Sequence, residues 1–553
     1  MDSRRLILFF VFSFSVFLLL DAWQRDQQQQ VAPLRTPQDA AKPAAELAPP
    51  MPSDKLISGQ TPPPVAGSAA LPKGEGILVE TDYFRAEIGT TGGDLRRLEL
   101  KQHRDTEDKN KVFVLFQDRP DHTYIAQTGL IGPGLPTHRT EFKASQREYK
   151  LAPGADVVEV RLEAPEGGGI KITKIYRFHR SSYVIDVGYE ITNQGAAEIK
   201  PFAYFQLLRD SKPPVGDSKM LPTYTGAAVY TEKEKFQKVA FGDMDKGKTP
   251  YPKTSDDGWV AMLQHYFFSA WLPKNGMPRE FYTRRLENGL YAAGVIIPAG
   301  TVGAGASATV SVPLYAGPEE HEKLAKIAPG LELTIDFGWL TILAVPLFWV
   351  LSWFHHWVGN WGVAIILLTV VIKLVFYPLS QASYRSMAKM RVMAPKLQKL
   401  KEQYGDDRQR LQQAMMALYK TEKINPLGGC LPILVQIPVF IALYWTILAS
   451  VELRHAPFYG WIHDLSAPDP WFVLPVLMGL TMIIQTKLNP EPPDPVQAKV
   501  MKIMPIAFSI FFFFFPAGLV LYWLVNNVLS IIQQWHINRT LEQASNPKAP
   551  HKN

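Results

Sequence analysis

The chain has 553 residues, a formal net charge of +7 and one cysteine, Cys430. That length allows two or more domains, a single cysteine excludes an intramolecular disulfide, and so modest a charge does not by itself point to nucleic acid. The hydrophobic fraction of 47% is ordinary, but the long apolar runs are confined to the extreme N-terminus and to the chain after residue 337, which favours a membrane as the partner.

The first element is Leu6–Trp23, preceded by Arg4 and Arg5. No small-x-small cleavage site follows it and no lipobox cysteine is present. Residues 1–23 therefore read as an uncleaved anchor with its N-terminus in the cytoplasm and Trp23 at the interface. Residues 24–73, with "QRDQQQQ", "APP" and "TPPP", cannot bury a core and read as a disordered tether.

From 74 to 330 the pattern changes to short strands. "YVIDVGYEI" sets Tyr183, Ile185, Val187, Tyr189 and Ile191 on one face at period two, and "NQG" then turns the chain. "GGGIKITKIYRF" and "ADVVEVRLEA" repeat the pattern, and a helix is expected only at "PEEHEKLAKIA". Many short strands with Gly/Asn turns predict a large antiparallel β-sandwich. Gly242–Thr249, "GDMDKGKT", satisfies the phosphate-loop spelling, yet "PYPKTSDDG" follows where a helix N-terminus must receive the phosphates. No nucleotide site is expected there. His179 and His265 read as strand residues. With no HExxH, GxSxG or paired-cysteine pattern, no catalytic residue, cofactor or metal is expected.

After residue 337 the apolar segments are Trp339–Val358, Trp361–Leu379, Leu431–Ser450, Trp471–Leu488, Val500–Pro516 and Leu519–His536. The loop Ser380–Lys423 carries ten Lys/Arg against four Asp/Glu, the mark of a cytoplasmic loop. If both preceding segments crossed the membrane, that loop would lie outside. Parity therefore demotes Trp339–Val358. It contains Pro346, His355 and His356, and Trp349, Trp353 and Trp357 recur every four residues, as in an interfacial helix. The expected order is an interfacial helix (331–358), a transmembrane helix (359–379), a cytoplasmic helical hairpin (380–423), four more spans (424–536) and a basic cytoplasmic tail (537–553). Val500–Pro516 and Leu519–His536 read as short spans that thin the bilayer around them.

Within the hairpin, Met387, Met390, Ala394, Leu397 and Tyr404 keep near-heptad spacing, "YGDD" breaks the chain, and Leu411, Met415 and Leu418 answer on a second helix. Methionines make adaptable apolar surface, and with Lys389 and Arg391 beside them they suit a client, anionic lipid or ribosomal RNA.

Lys373 stands in "TVVIKLVFYP", inside an apolar span. A charge there costs roughly 3 kcal/mol by insertion scales and marks a functional site unless it snorkels. Thr369 and Tyr377, at i−4 and i+4, give it a polar stripe. Gln436, Gln485, and then Tyr522, Asn526 and Ser530 at helical spacing, add polar groups on other spans. Each alone is more often an interhelical hydrogen bond than a site; together they line a wet cavity. An ion-coupled transporter would also carry an intramembrane lysine, but no core span offers the acidic partner it would be expected to show. A membrane-anchored periplasmic protein that binds or processes carbohydrate would suit the β-sandwich, without evident paired carboxylates.

"YPLSQASYRSMAKMR", "QQAMMALYKTEKINPLGGCLPILVQIPVFIALYW", "SVELRHAPF", "WIHDLSAPDP", "FPAGLVLYW" and "IIQQ" strongly resemble the bacterial YidC membrane protein insertases of Gram-negative type, which are related to insertases of mitochondria and chloroplasts. The resemblance runs end to end. It implies an anchor plus a five-helix core, a periplasmic β-supersandwich, insertion of nascent inner-membrane proteins through a hydrophilic groove, and partnership with the Sec translocon, ribosomes and lipid. The family's groove cation, often arginine, matches Lys373, a compact point charge without arginine's planar fork.

Overall fold

The computed structural model describes residues 74–214, 223–404, 407–422, 431–489 and 495–545. The expected anchor, the tether and the end of the basic tail lie outside the described residues. The chain divides into two compact units, with the boundary between Ile335 and Asp336.

The first unit is built from a ten-stranded and a nine-stranded sheet. All pairings are antiparallel except that of Gly76–Glu80 with Glu148–Lys150. Alternation does what the sequence pattern requires. In the strand Val184–Asn193, Ile185, Val187, Tyr189 and Ile191 are fully buried and pair on both sides, with Ile170–His179 and Ser307–Pro318. The expected late helix is His321–Ile327. In "GDMDKGKT" a single helical turn, Phe241–Asp245, precedes the Gly-Lys pair instead of following it, and Lys248 pairs with Asp243 at 3.3 Å, so no phosphate cradle forms. His179 ends its strand against Asp186 at 2.8 Å. His265, read as a strand residue, instead lies in the turn between Trp259–Gln264 and Phe267–Trp271, where Tyr266 takes a positive φ of 68°.

A polar cluster is buried in this unit. Gly92 and Gly93, both at positive φ, turn the chain so that their carbonyls accept from Lys174 Nζ (2.9 Å) and Tyr176 Oη (2.5 Å). Asp94 accepts from Gln127, whose own carbonyl accepts from Gln206, which in turn accepts from Tyr282. Arg96 bridges Asp94 at 3.6 Å and Asp118 at 2.7 Å. Burial pushes the Asp94 carboxyl up and the Lys174 amine down, and each charge opposes the shift of the other. A separate cavity of about 530 Å³ is walled by Tyr230, Trp259, Pro313 and Pro329 among others. Arg279 donates to five backbone carbonyls around one side of it, including those of Gly258, Pro273 and Lys274.

The second unit is helical. Its helices are α1 (Thr341–Val358), α2 (Trp361–Val375), α3 (Tyr377–Val392), α4 (Ala394–Tyr404), α5 (Arg408–Thr421), α6 (Leu431–Ala449), α7 (Val473–Leu488), α8 (Pro495–Phe511) and α9 (Ala517–Ser545). Helix α1 buries Ala344, Phe348 and Leu351, packs on α2 and α6, and leaves Trp349, Trp353 and Trp357 at 68%, 49% and 73% exposure. It is also long and apolar enough to cross a membrane. Asn360 caps α2 by accepting from the Val363 N–H.

Two prolines redraw the expected elements. The span expected to run to Leu379 ends at Val375, and α3 leaves at 66°. Pro378 has no N–H for the carbonyl of Leu374 and its ring crowds the preceding turn, so a straight helix cannot pass. The near-heptad from Met387 to Tyr404 is likewise broken at Met393, because Pro395 starts a new helix. The antiparallel pair is therefore α4 with α5, bridged by Lys396 and Glu422 at 2.8 Å, while α3 packs on α9 and α6. Helix α8 spans 17 residues and is followed by the 3-10 turn Phe512–Phe514. Helix α9, expected to end at His536, continues to Ser545 and is 29 residues long in all, since its polar end holds good helix formers such as Arg539, Leu541, Glu542 and Gln543.

Candidate functional site

The site is assembled where α2, α3, α6 and α9 meet. Lys373 lies three residues before the bend at Phe376, half-buried, and its Nζ donates to Ser530 Oγ at 2.6 Å. Ser530 stands one turn after Asn526 on α9 and donates its own proton to the Asn526 carbonyl at 2.7 Å. From α6, Gln436 Nε2 donates to Asn526 Oδ1 and to Tyr522 Oη, the latter at 3.4 Å. Helical spacing thus places Tyr522, Asn526 and Ser530 on one face, and that face receives donors from two other helices. Among the described residues no carboxylate oxygen lies within 4.0 Å of Lys373 Nζ.

A narrow cleft opens beside the ammonium, lined by Ile372, Lys373, Phe376, Leu379, Ser380, Val435 and Gln436. Its volume, about 10 Å³, suits roughly one water. The arrangement is that of a nearly closed polar cleft with a cation in its wall.

The expected site residues do not all join it. Lys373, Gln436, Tyr522 and Asn526 do. Thr369 is buried but turns its hydroxyl back on the Ile365 carbonyl at 2.7 Å. Tyr377 lies beyond the bend, 38% exposed, so it does not continue the stripe that an unbroken helix would have made. Gln485 on α7 is half-buried and outside the chain of hydrogen bonds. The polar contacts of α7 with α9 run instead through Thr481 to Asn527 at 3.3 Å, and Gln534 reaches Asn489 at 3.0 Å. Asn527 and Gln534 form a neighbouring polar stripe on α9 that the sequence reading passed over. Tyr384, also passed over, is buried on α3 close to Ser530. Its signal was available: it stands seven residues after Tyr377, in the segment assigned to a hairpin.

Of the expected hairpin contacts, Met387 and Met390 are half-buried and Lys389 exposed, all on α3 and not on the α4–α5 pair. The Arg391 side chain lies outside the described residues. Met415 on α5 is half-buried, whereas its neighbour Met416 is 56% exposed and presents the sulfur surface.

On the opposite side of the bundle, the loop between α6 and α7 folds over the start of α9. Gly518 N donates to Leu465 O (2.9 Å) and Ala517 N to Ala467 O (2.8 Å). Asp469 accepts from the Trp461 indole and from the backbone of Trp471 and Leu474, while Asp464 holds His455 at 2.9 Å.

Residues 76–350 match the family described as the YidC periplasmic domain, and residues 353–544 match the 60Kd inner membrane protein family. The chain is 58% identical to the membrane protein insertase YidC of Nitrosospira multiformis over 98% of both chains. It is 57% identical to that of Methylobacillus flagellatus over 99% of both. A solved structure of an active YidC insertase with its first transmembrane domain resolved aligns over 85% of this chain and 92% of that one, at 18% identity and a TM-score of 0.39.

Proposed function

Because the chain belongs to the YidC family of membrane protein insertases, we propose that the cleft around Lys373 is where it receives the polar flank of a client. An inner-membrane protein with its β-rich domain in the periplasm, it acts on nascent membrane proteins and is not an enzyme. The observation that carries the proposal is a half-buried ammonium held by a hydroxyl, with no carboxylate beside it among the described residues, in the wall of a cleft. A cation placed for structure alone would be expected to have its counter-ion inside the protein.

The mechanism follows from energetics. A client's apolar segment partitions into lipid by itself; the barrier is its polar flank, which must cross hydrocarbon. A polar cleft reaching into the bundle shortens that path. An ammonium has three donors, and Ser530 takes one, which leaves two for an acidic group of the flank. The membrane potential then favours outward movement of a negative charge by about 2.3 kcal/mol per 100 mV. No covalent step is needed. Opening the cleft beyond the volume of one water requires α2, α6 and α9 to part, and the hydrogen bonds that join them are the contacts a client replaces.

In this reading α1 lies in the interface with its tryptophans toward lipid, α2 and the later apolar helices span, and the α4–α5 hairpin faces the cytoplasm. The α6–α7 loop closes the cleft on the periplasmic side. Exposed Lys396, Lys399, Lys401, Arg410 and Lys420 on the hairpin suit the ribosome and anionic lipid, and the Sec translocon is a further partner. Topology reporters test the orientation. Those after Lys420 and Asn553 should read cytoplasmic, and those after Gly317 and Asp469 periplasmic. A periplasmic reading after Lys420 would make α1 a span and invert the cleft. Photocrosslinking from position 373 to a client in transit tests the site itself; a client that never crosslinks there would displace the site from the cleft.

A further inference from the structure

Three residues separate Lys373 from the bend at Phe376, so at 1.5 Å per residue only about 4.5 Å of straight helix lies between the ammonium and the end of α2. A lysine stem is longer than that and is free to snorkel past it. Something must keep the charge inside. We propose that Ser530 is the positioning residue that holds the Lys373 ammonium in the cleft, an inference that rests on the reading of the cleft given above.

The argument is one of hydrogen-bond valence. A serine hydroxyl has one proton to give and two lone pairs to receive with. The proton of Ser530 goes to the Asn526 carbonyl one turn back, at 2.7 Å. Both lone pairs are left as acceptors, and Lys373 Nζ donates to one of them at 2.6 Å. With its proton committed, the hydroxyl cannot rotate to repel the ammonium, and its oxygen stands on α9, across the cleft from α2. Asn526 is itself fixed, because its side-chain oxygen accepts from Gln436 on α6. Ser530 therefore sets the lateral position of the charge through a frame of three helices. Removing the hydroxyl leaves the ammonium without its partner and the stem free to swing toward water.

The test uses the full chain in nanodiscs, where both faces meet reagent, and a water-soluble amine-acylating ester. Labelling at Lys373 is measured by peptide mass spectrometry against exposed Lys399 of the same chain, and client insertion is measured in proteoliposomes. Ser530→Ala should raise Lys373 labelling about fivefold and slow clients with acidic flanks about threefold, with neutral-flank clients unchanged. Ser530→Thr, which keeps the hydroxyl, should restore both values. Parental labelling in Ser530→Ala, or Ser530→Thr behaving like Ser530→Ala, overturns the inference. Lys373→Leu separates the two levels. If acidic clients insert into that variant at the parental rate, the cleft reading falls and the inference with it. If they are slowed while Ser530→Ala matches the parent in labelling and rate, only the inference falls.

Discussion

The two units bury charge in opposite ways. In the β unit, Arg96 lies between Asp94 and Asp118, Lys174 sits on a backbone carbonyl near Asp94, and the amides of Gln127 and Gln206 pass hydrogen bonds on to Tyr282. Asp94, Asp118 and Arg96 answer one another's charge within the protein, although Asp94 Oδ1 and Arg96 Nε make no hydrogen bond. In the helical unit Lys373 meets a hydroxyl, with no carboxylate oxygen within 4.0 Å among the described residues. A buried charge whose partners are all internal organises a core, whereas one with donors to spare is available to a ligand. Under the proposed function the first unit's charges serve stability and the cleft's charge serves insertion, a division that can be broken from either side.

The largest effect should come from Arg96→Met. It removes the cation that bridges buried Asp94 and half-buried Asp118, a change worth about 3–5 kcal/mol. The unfolding transition of the β unit, followed by its sheet circular dichroism in the full chain, should drop sharply, while insertion per folded molecule should not. A fall in insertion at equal folded abundance would join the two units in function.

Next in size is a pH effect at His138. Tyr204 Oη accepts from the His138 backbone N–H at 3.0 Å and lies 2.5 Å from Nδ1 of the same residue. Burial, helped by Arg139 and Arg284, pushes it down to about 3. As pH falls the unfolded ring, near 6.5, is protonated first. The stability contributed is thus complete above 6.5 and lost progressively toward 3, up to about 2 kcal/mol by pH 5. Thermal unfolding at pH 7 and pH 5 should show this loss, and His138→Asn should flatten it.

Lys373→Leu should slow clients with acidic translocated flanks about tenfold, equivalent to about 1.4 kcal/mol, while neutral clients and unfolding stay close to the parent. Lys373→Arg should retain activity, and Lys373→Glu should lose it for acidic clients. Equal rates across client classes for Lys373→Leu would turn the lysine into a snorkelling residue. The smallest effect is expected from the largest change. Deleting 80–310 while keeping the anchor and α1 should leave insertion within about twofold of the parent. A deletion that folds, reaches the membrane and abolishes insertion of every client would move the function into the β unit.

The strands were readable because a half-buried strand spells its inward face at every second residue, as Ile185, Val187 and Tyr189 do. The polar cluster inside the sandwich was not, since Gln127 and Gln206 face each other across two strands 79 residues apart and nothing in either segment names the other. In the helical unit, periodicity correctly grouped Tyr522, Asn526 and Ser530, which share one helix. It failed for Tyr377 because i+4 presumes a straight axis, and Pro378 bends it. It failed for Gln485 because the rotation of α7 about its own axis is set by packing against α9, which one sequence does not contain. The "YGDD" stretch lies between the end of α4 at Tyr404 and the start of α5 at Arg408, but Pro395 was read through, and a helix that packs against the bundle was thereby counted with the hairpin.

Helix α9 follows in sequence every helix it satisfies. The acceptor of Lys373 lies 157 residues downstream of it, and Gln436 and Thr481 also find their partners on α9. At bacterial rates of roughly 5–20 residues per second, about 8–30 s pass between synthesis of Lys373 and synthesis of Ser530. Throughout that interval α2, α6 and α7 carry polar groups that only water, lipid headgroups or another protein can answer. A chain interrupted between α8 and α9 would keep an unanswered ammonium in its bundle for as long as it lasted. During its own synthesis, then, this insertase is as demanding a passenger of the membrane as any it will later help across.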